Sequence, residues 1–224
     1  MTDIVETVED IEADKVATLD MGGTIVENRY FSSTQAAYNT LLGMDSETDQ
    51  RIYREHSNGN GDLGNHTNHA IDQSIHLQAQ DIDIHDYAEA TQVILQDRDL
   101  LTGADMFVDN LHELGYTTVA VSSAPPASTM PYAEEAGIQI LYEWKNFEFD
   151  DNGDFSHVQV NPEAKYGKHK IIEALQNTGM EVAHFGNGDN DKEAIEAADA
   201  GLKQWWTADP EKAFKNAKEE AQKL

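Results

Sequence analysis

Short apolar runs alternate with longer amphipathic stretches along much of the chain. Apolar runs bounded by polar residues predict buried strands, and apolar positions three and four residues apart predict helices. The predicted strands are 15–20, 117–123, 182–185 and 202–207, and the predicted helices are 104–114, 130–136, 167–177, 190–199 and one that begins at Asp209. This alternation indicates an α/β protein with a Rossmann-like, doubly wound parallel sheet.

The stretch between residues 28 and 98 is too long for a simple crossover and has a helical periodicity of its own. It predicts a helical cap, inserted into a core formed by residues 1–27 and 99–224. Ligands bind beyond the carboxyl ends of the strands in open α/β sheets. The functional site should therefore lie at that edge, beneath the cap.

Two local patterns lie outside the strand–helix alternation. Residues 146–160 predict a β-hairpin, because they contain the turn-forming dipeptide Asn-Gly. At the amino end, Ile4, Val8 and Ile11 have helical spacing and predict a short helix.

The chain is strongly acidic: 42 Asp and Glu residues stand against 15 Lys and Arg residues, for a formal net charge of −27. The charge is spread along both halves of the chain, a composition that resembles proteins of salt-accumulating halophiles. At about 1 M salt the Debye length falls to about 3 Å, so the repulsion across such a surface fades. An acidic surface for a basic partner is the alternative. The same charge disfavours nucleic-acid binding.

Composition also excludes several classes of protein. The chain contains no Cys, so it has no disulfide, no thiol nucleophile and no Cys-ligated metal. No apolar run approaches the roughly 18 residues that span a bilayer. The first residues are acidic, unlike the basic start of a signal peptide. We therefore expect a cytoplasmic protein with no membrane association.

Four groups of polar residues stand at the ends of predicted elements. Asp20 ends a strand before a Gly-Gly turn, and a carboxylate there can attack phosphorus or carbon to form an ester. Ser122 ends another strand and could bind a phosphoryl oxygen, while Lys168 begins a helix and could balance charge. Residues 186–191, Gly-Asn-Gly-Asp-Asn-Asp, follow a strand, and their acids could hold Mg²⁺. All four groups should meet at one edge of the sheet.

In this order, the motifs resemble those of the haloacid dehalogenase superfamily, in the branch of small phosphatases close to phosphoserine phosphatase. The first family motif, Asp-x-Asp-Gly-Thr, is matched by residues 20–24 except at its second Asp. The last motif, Gly-Asp-Gly-x-Asn-Asp, is matched by residues 186–191 except at its first Asp. Ser122, Lys168, the hairpin and the helical cap correspond to further features of these phosphatases.

The resemblance implies a hydrolase that acts on a small phosphomonoester through an aspartyl-phosphate. The catalytic residues that it implies are Asp20, Ser122 and Lys168. The ligands that it implies for Mg²⁺ are Asp20, the Gly22 carbonyl, Asn187 and Asp191. The substrate-binding residues that it implies are Thr24, Glu27, Arg51 and Ser123.

Two positions depart from the family motifs. Gly22 stands where the phosphatases have the Asp that protonates the leaving alcohol and later activates water. General acid–base assistance is worth about 10²–10⁴-fold, so its loss predicts a slow enzyme. Asn187 replaces a metal-binding Asp, and its neutral amide should bind Mg²⁺ more weakly. A register shifted by two residues would make Asp189 the metal acid, but the predicted strand ends at Gly186 and favours the first register.

Two other functions are compatible with these departures. One is a catalytically silent relative that binds a phosphorylated ligand or a partner protein. The other is a metal-independent haloacid dehalogenase, in which Arg51 would hold the halide. A phosphonoacetaldehyde hydrolase is excluded, because those enzymes need a cap lysine and residues 28–98 contain none.

Overall fold

The computed structural model describes residues 3–4, 11–26, 82–88, 99–122, 126–143, 145–160 and 167–203. The strands in these ranges are β1 (Asp3–Ile4), β2 (Lys15–Leu19), β3 (Thr117–Ser122), β4 (Ile140–Glu143), β5 (Lys145–Phe149), β6 (Phe155–Val160), β7 (Glu181–Gly186) and β8 (Ala200–Lys203). Six of them form one sheet in the order β1-β4-β3-β2-β7-β8, in which every neighbouring pair is parallel. The predicted α/β class, with its Rossmann-like parallel sheet, is confirmed.

Helices cover both faces of this sheet. They are α1 (Ala104–Glu113), α2 (Pro126–Glu135), α3 (Lys168–Asn177) and α4 (Lys192–Ala197). Ala17 and Leu19 of β2 belong to a core cluster with α1 and α2, whereas Val16 belongs to a cluster with α3 and α4. The two-residue period of the strand separates these clusters into a three-layer structure. None of the helices in the described ranges is long and apolar enough to cross a membrane.

Strand β2 lies in the middle of the sheet, between β3 and β7. Leu19 pairs with Ala120 on one side and with Phe185 on the other. All four residues from Val16 to Leu19 are fully buried, which agrees with the mostly apolar sequence expected of a parallel strand covered on both faces. The end of β2 therefore lies at the centre of the edge where the site was predicted.

The predicted amino-terminal helix is wrong where the structure describes it. Asp3–Ile4 is a strand that pairs with β4, and Ile11 is buried without helical structure. Without β1, the backbone N–H and C=O groups on the outer side of β4 would be unpaired, and β1 forms hydrogen bonds with them. The hydrophobic periodicity of a sequence does not reveal such pairing. Val8 lies outside the described residues.

Strand β4 was not predicted, and two element boundaries differ from their predicted positions. The four residues of β4 are too few to show a period, and their pairing with β3 defines them as a strand. Helix α2 begins at Pro126, before the predicted start at residue 130, because proline is well suited to the first turn of a helix. Strand β8 begins at Ala200, two residues early. Residues 204–224, with the predicted last helix, lie outside the described ranges.

The predicted hairpin is present as β5 and β6, which pair antiparallel. Its turn contains Gly153 with φ of 88°, a conformation that favours glycine. The end of the inserted segment contacts this hairpin: the Ile84 amide donates to the Gly153 carbonyl at 2.8 Å, and the Phe155 amide donates to the Ile82 carbonyl at 3.0 Å. Residues 84–88 are helical.

The two ends of the inserted segment meet on the core. Val26 and Leu100 form an isolated antiparallel bridge, and the Leu101 amide donates to the Ile25 carbonyl at 2.8 Å. The chain therefore leaves and rejoins the core at adjacent points, as an insertion requires. Most of residues 28–98 lie outside the described ranges, so the helical cap and its boundaries stay a prediction.

At the opposite edge of the sheet, a polar cluster joins β2, β7 and the turn before β3. The Tyr116 hydroxyl donates to Glu181 Oε1 at 2.7 Å. Lys15 Nζ lies 3.4 Å from Glu181 Oε2 and 5.1 Å from the centroid of the Tyr116 ring. The hydrogen bond from Tyr116, with the charge of Lys15, holds the pKa of Glu181 below its ordinary value.

We predict that Tyr116→Phe raises the pKa of Glu181 and lowers stability at neutral pH. Because the folded-state pKa is depressed, the contribution of Glu181 is present above its unfolded-state pKa and is lost as the pH falls through the folded value. The Glu181 side chain is 45% exposed, so solvent screening should limit the loss to below about 1 kcal/mol. Urea denaturation at neutral and acid pH would measure it, and an equal loss at both would contradict the prediction.

Candidate active site

Asp20 lies directly after β2 and is held at the sheet edge by the backbone. Its amide donates to the Phe185 carbonyl at 2.9 Å, and the residue is 7% exposed. The chain then turns sharply through Gly23, whose φ of 76° favours glycine. This turn brings the Thr24 hydroxyl to 3.5 Å from Asp20 Oδ2. The Gly-Gly sequence thus places a hydroxyl beside the carboxylate.

Lys168 joins this carboxylate to a second one. It is the first residue of α3, and its side chain is 1% exposed. Its Nζ donates to Asp20 Oδ1 at 2.7 Å and to Asp191 Oδ1 at 2.6 Å. A single ammonium group therefore bridges two buried carboxylates that are 171 positions apart in the sequence.

Asp191 is fixed by the loop that follows β7. Its Oδ2 accepts hydrogen bonds from the amides of Asn187 at 3.0 Å and Gly188 at 2.8 Å. A Cβ added at Gly186 would overlap the Asp191 carboxylate, so the glycine leaves the space that the carboxylate fills. Asp191 is fully buried, whereas Asp189 is exposed. Within this loop, Asp191 is the acid that the backbone amides hold.

The buried charges shift one another's pKa values. Burial raises the pKa of the Asp20 carboxyl, and the charge of Lys168 offsets part of that rise. Burial alone would raise the pKa of Asp191 and lower that of Lys168. For Asp191, its neighbours His184 and Lys168 outweigh burial, so its pKa lies well below the ordinary value. For Lys168, the charges of Asp20 and Asp191 outweigh burial, so its pKa lies above the ordinary value. Lys168 is therefore a cation and Asp191 an anion at neutral pH.

The two oxygens of Asp20 have different environments. Oδ1 accepts the short hydrogen bond from Lys168, whereas Oδ2 lies beside the more distant Thr24 hydroxyl. The bond to Lys168 fixes the orientation of the carboxylate, and Oδ2 keeps lone pairs for another atom. This arrangement suits a nucleophile that attacks through Oδ2.

His184 is a buried polar residue that sequence reasoning missed. Its Nδ1 lies 2.8 Å from Thr18 Oγ1, which itself donates to the Ala183 carbonyl at 3.1 Å. This contact fixes the orientation of the His184 ring. The Nε2 atom lies 3.5 Å from Asp191 Oδ1 and has no hydrogen-bond partner among the described residues. Burial lowers the pKa of His184, so a neutral ring lies behind Asp191.

The other predicted site residues are placed as follows. Ser122 is buried at the end of β3, next to β2. Gly22 and Asn187 are half-buried in the two loops at this edge. The predicted substrate contacts Glu27, Arg51 and Ser123 lie outside the described residues. The structure therefore brings Asp20, Thr24, Lys168 and Asp191 into contact and places Ser122, Gly22 and Asn187 at the same edge.

The described residues offer few ligands for a metal ion. No group of three His, Asp or Glu side chains in these ranges is arranged to hold one. Both oxygens of Asp191 already accept hydrogen bonds, so it would support a metal site from behind. Asp20, the Gly22 carbonyl and the Asn187 amide remain as oxygen ligands. Mg²⁺ is commonly bound by one or two carboxylates together with water and substrate phosphate, so this set fits Mg²⁺ with a single carboxylate.

We predict that Lys168→Met lowers the free energy of unfolding by about 3–5 kcal/mol, because it leaves two buried carboxylates without a counter-charge. The loss should shrink in acid, where the carboxylates can take up protons. Lys170→Met is the matched control, since Lys170 lies on the same helix and is exposed; it should change stability by less than about 0.5 kcal/mol. Urea denaturation in concentrated KCl would compare the two, and equal losses would contradict the prediction.

A family model described as haloacid dehalogenase-like hydrolase matches residues 15–199. The chain is similar to the structure of a probable phosphoserine phosphatase from Vibrio cholerae, with a TM-score of 0.63 and 15% identity over 94% of this chain and 67% of that chain. It is also similar to an apo phosphoserine phosphatase (TM-score 0.57, 19% identity, 92% and 90% covered). A phosphoserine phosphatase from T. onnurineus gives a TM-score of 0.55 and 16% identity over 93% and 98%. None of the curated proteins compared with the chain matches it.

Proposed function

Because the chain belongs to the haloacid dehalogenase-like hydrolases, we propose that it is a phosphatase that acts on a small phosphomonoester through an aspartyl-phosphate on Asp20. The observation that carries this proposal is the bridge from Lys168 to Asp20 and Asp191 at the carboxyl edge of the sheet. It orients one carboxylate through Oδ1 and supplies a fixed positive charge beside it.

The reaction would proceed in two displacements at phosphorus. In the first, Asp20 Oδ2 forms a bond to phosphorus, and the bond to the leaving oxygen breaks with its electron pair. In the second, water attacks phosphorus and the bond to Asp20 breaks, which releases phosphate and restores the carboxylate. The ammonium of Lys168 would balance the charge of the equatorial oxygens, and the hydroxyls of Thr24 and Ser122 would position them.

The charge at the site indicates what else a phosphate needs. Asp20, Asp191 and Lys168 together sum to one negative charge, and a phosphoryl group adds more. Mg²⁺, held by Asp20, the Gly22 carbonyl and Asn187 with Asp191 behind them, would supply charge neutralisation for the phosphoryl oxygens. A single carboxylate should bind it weakly, so we expect activity to need a high Mg²⁺ concentration.

Three further parts of the proposal rest on sequence. Glu27, Arg51 and Ser123 would contact the substrate. Residues 28–98 would form a cap over the bound substrate. The net charge of −27 supports a cytoplasm of high salt as the working environment, where screening reduces self-repulsion. Assays and stability measurements therefore belong in multimolar KCl.

A second candidate is a catalytically silent relative that binds a phosphorylated ligand. It is favoured by Gly22 and Asn187, which remove two side-chain carboxylates from the motifs that the chain otherwise matches. Such a protein would keep the charge-balancing lysine and bind phosphate without turnover. The two functions differ in a single observable, the hydrolysis of a phosphomonoester.

We predict Mg²⁺-dependent hydrolysis of p-nitrophenyl phosphate in multimolar KCl, stopped by EDTA and lost in Asp20→Asn. The substitution keeps the size of the side chain but replaces the nucleophilic carboxylate with an amide, and it should lower kcat to background. Asp109→Asn is the matched control, because Asp109 is exposed on α1 and away from the site; it should keep full activity. Turnover by Asp20→Asn equal to that of the unchanged chain would overturn the aspartyl-phosphate. No turnover by either protein, when both are folded, would favour the silent relative.

A further inference from the structure

His184 faces the apolar layer between the sheet and helices α3 and α4. Val16 and Val182 belong to the core cluster of that layer, and side chains two positions apart on a strand share a face. Thr18 and His184 therefore point into the same layer, where they pair across β2 and β7. Both are fully buried. Burying such a polar pair costs free energy unless its atoms are compensated, so the contacts of both ring nitrogens matter.

The two nitrogens of His184 face different groups. Nδ1 lies 2.8 Å from Thr18 Oγ1, and Nε2 lies 3.5 Å from Asp191 Oδ1. Burial lowers the pKa of His184, so the ring is neutral and bears one proton. With that proton on Nε2, an N–H faces the carboxylate; with the proton on Nδ1, a nitrogen lone pair would face an anion. Electrostatics therefore favours the proton on Nε2, with Nδ1 accepting from the Thr18 hydroxyl.

Oδ1 of Asp191 then lies within reach of two donors. Lys168 Nζ donates to it at 2.6 Å, and His184 Nε2 lies 3.5 Å away. The second distance exceeds that of a good N–H···O hydrogen bond, roughly 3 Å, by about 0.5 Å. Oδ2 is held by the amides of Asn187 and Gly188, so a small rotation of the carboxylate about Oδ2 changes the distance to His184. Asp191 can therefore strengthen its bond to one donor as the other weakens.

Lys168 has a further anion to compensate once a phosphoryl group is bound. Its ammonium already donates to Asp20 and Asp191, and the oxygens of a phosphoryl group on Asp20 would compete for its protons. As the bond from Lys168 to Asp191 weakens, a buried carboxylate is left less compensated, which is costly. A neutral donor to Oδ1 reduces that cost and adds no positive charge that would repel the ammonium.

We infer that His184 is a positioning residue for phosphoryl transfer: its Nε2–H strengthens its hydrogen bond to Asp191 Oδ1 when Lys168 shares its ammonium with a bound phosphoryl group. Thr18 fixes the ring so that Nε2 faces Asp191. This inference rests on the proposed aspartyl-phosphate mechanism and adds a residue that acts through Asp191. Without this donor, Asp191 would hold the ammonium more tightly, and the transition state would lose part of its charge balance.

Two amide variants separate the roles of the ring nitrogens. The amide nitrogen of glutamine can reach the position of Nε2, whereas that of asparagine reaches only the position of Nδ1. We expect His184→Asn to lower kcat for p-nitrophenyl phosphate by about 10–100-fold. KM should change little, because the lost interaction is one that strengthens in the transition state. His184→Gln should keep most of the activity. A purely structural role would lower the stability of both variants without separating their kcat values.

The assays belong in multimolar KCl with Mg²⁺, with urea denaturation to establish that each variant is folded. His112→Asn is the matched control. His112 Nε2 also contacts a threonine hydroxyl, Thr118 Oγ1 at 2.9 Å, but that threonine lies at the amino end of β3. The control should therefore leave kcat unchanged.

The position of the ring proton is measured without any substitution. In protein with isotope-labelled histidine, nitrogen chemical shifts distinguish a protonated ring nitrogen from a bare one, and proximity to Thr18 assigns the His184 signals among the nine histidines. We expect the proton on Nε2. Beryllium fluoride, a phosphoryl mimic that binds carboxylates, should with Mg²⁺ move this proton signal downfield, because the hydrogen bond to Asp191 shortens.

The possible failures are distinguishable. A proton on Nδ1 overturns the inference and leaves the phosphatase function standing. Equal kcat values for folded His184→Asn and His184→Gln overturn it in the same way, as does a proton signal that stays unchanged while fluorine NMR shows the beryllium fluoride adduct on the protein. If the unchanged chain hydrolyses no phosphomonoester, the proposed function fails, and the role of His184 in it fails as well.

Discussion

The ammonium of Lys168, buried between Asp20 and Asp191, is the interaction on which the site depends. Burying two carboxylates costs several kcal/mol unless a counter-charge and hydrogen bonds compensate, and here one lysine serves both. It also ties α3 to the end of β2 and to the loop after β7. The helix, the strand and the loop must therefore be correctly placed relative to one another for the buried charges to be compensated.

The sheet provides that placement. Because β2 lies between β3 and β7 and all three are parallel, their carboxyl ends meet at one edge and need only short loops to reach the site. Glycine makes two of these loops possible, one through the positive φ of Gly23 and one through the space that Gly186 leaves for Asp191. The parallel sheet therefore places the site residues at one edge, and the two glycines allow the loops to pass close to the carboxylates.

Sequence predicted the parts of this structure that have a local signature. Asp20, Lys168 and Asp191 stand in motifs at strand and helix ends, so the edge where they meet followed from the parallel sheet. Strand β1 and strand β4 have no such signature, because pairing across the sheet creates them. His184 is an intermediate case: a histidine inside an apolar strand is visible in the sequence, but its position opposite Thr18 depends on the register of two distant strands.

The two departures from the family motifs act in the same direction. Gly22 and Asn187 each replace a carboxylate of the family motifs, and the residues that remain are those that orient the Asp20 carboxylate and balance its charge. Desolvation explains why Asp20, Lys168 and Asp191 must be kept together, since removal of any one leaves the buried charges unbalanced. A side chain at position 22 lies outside that balance at the half-exposed rim. The glycine at this position therefore leaves the buried charge network intact.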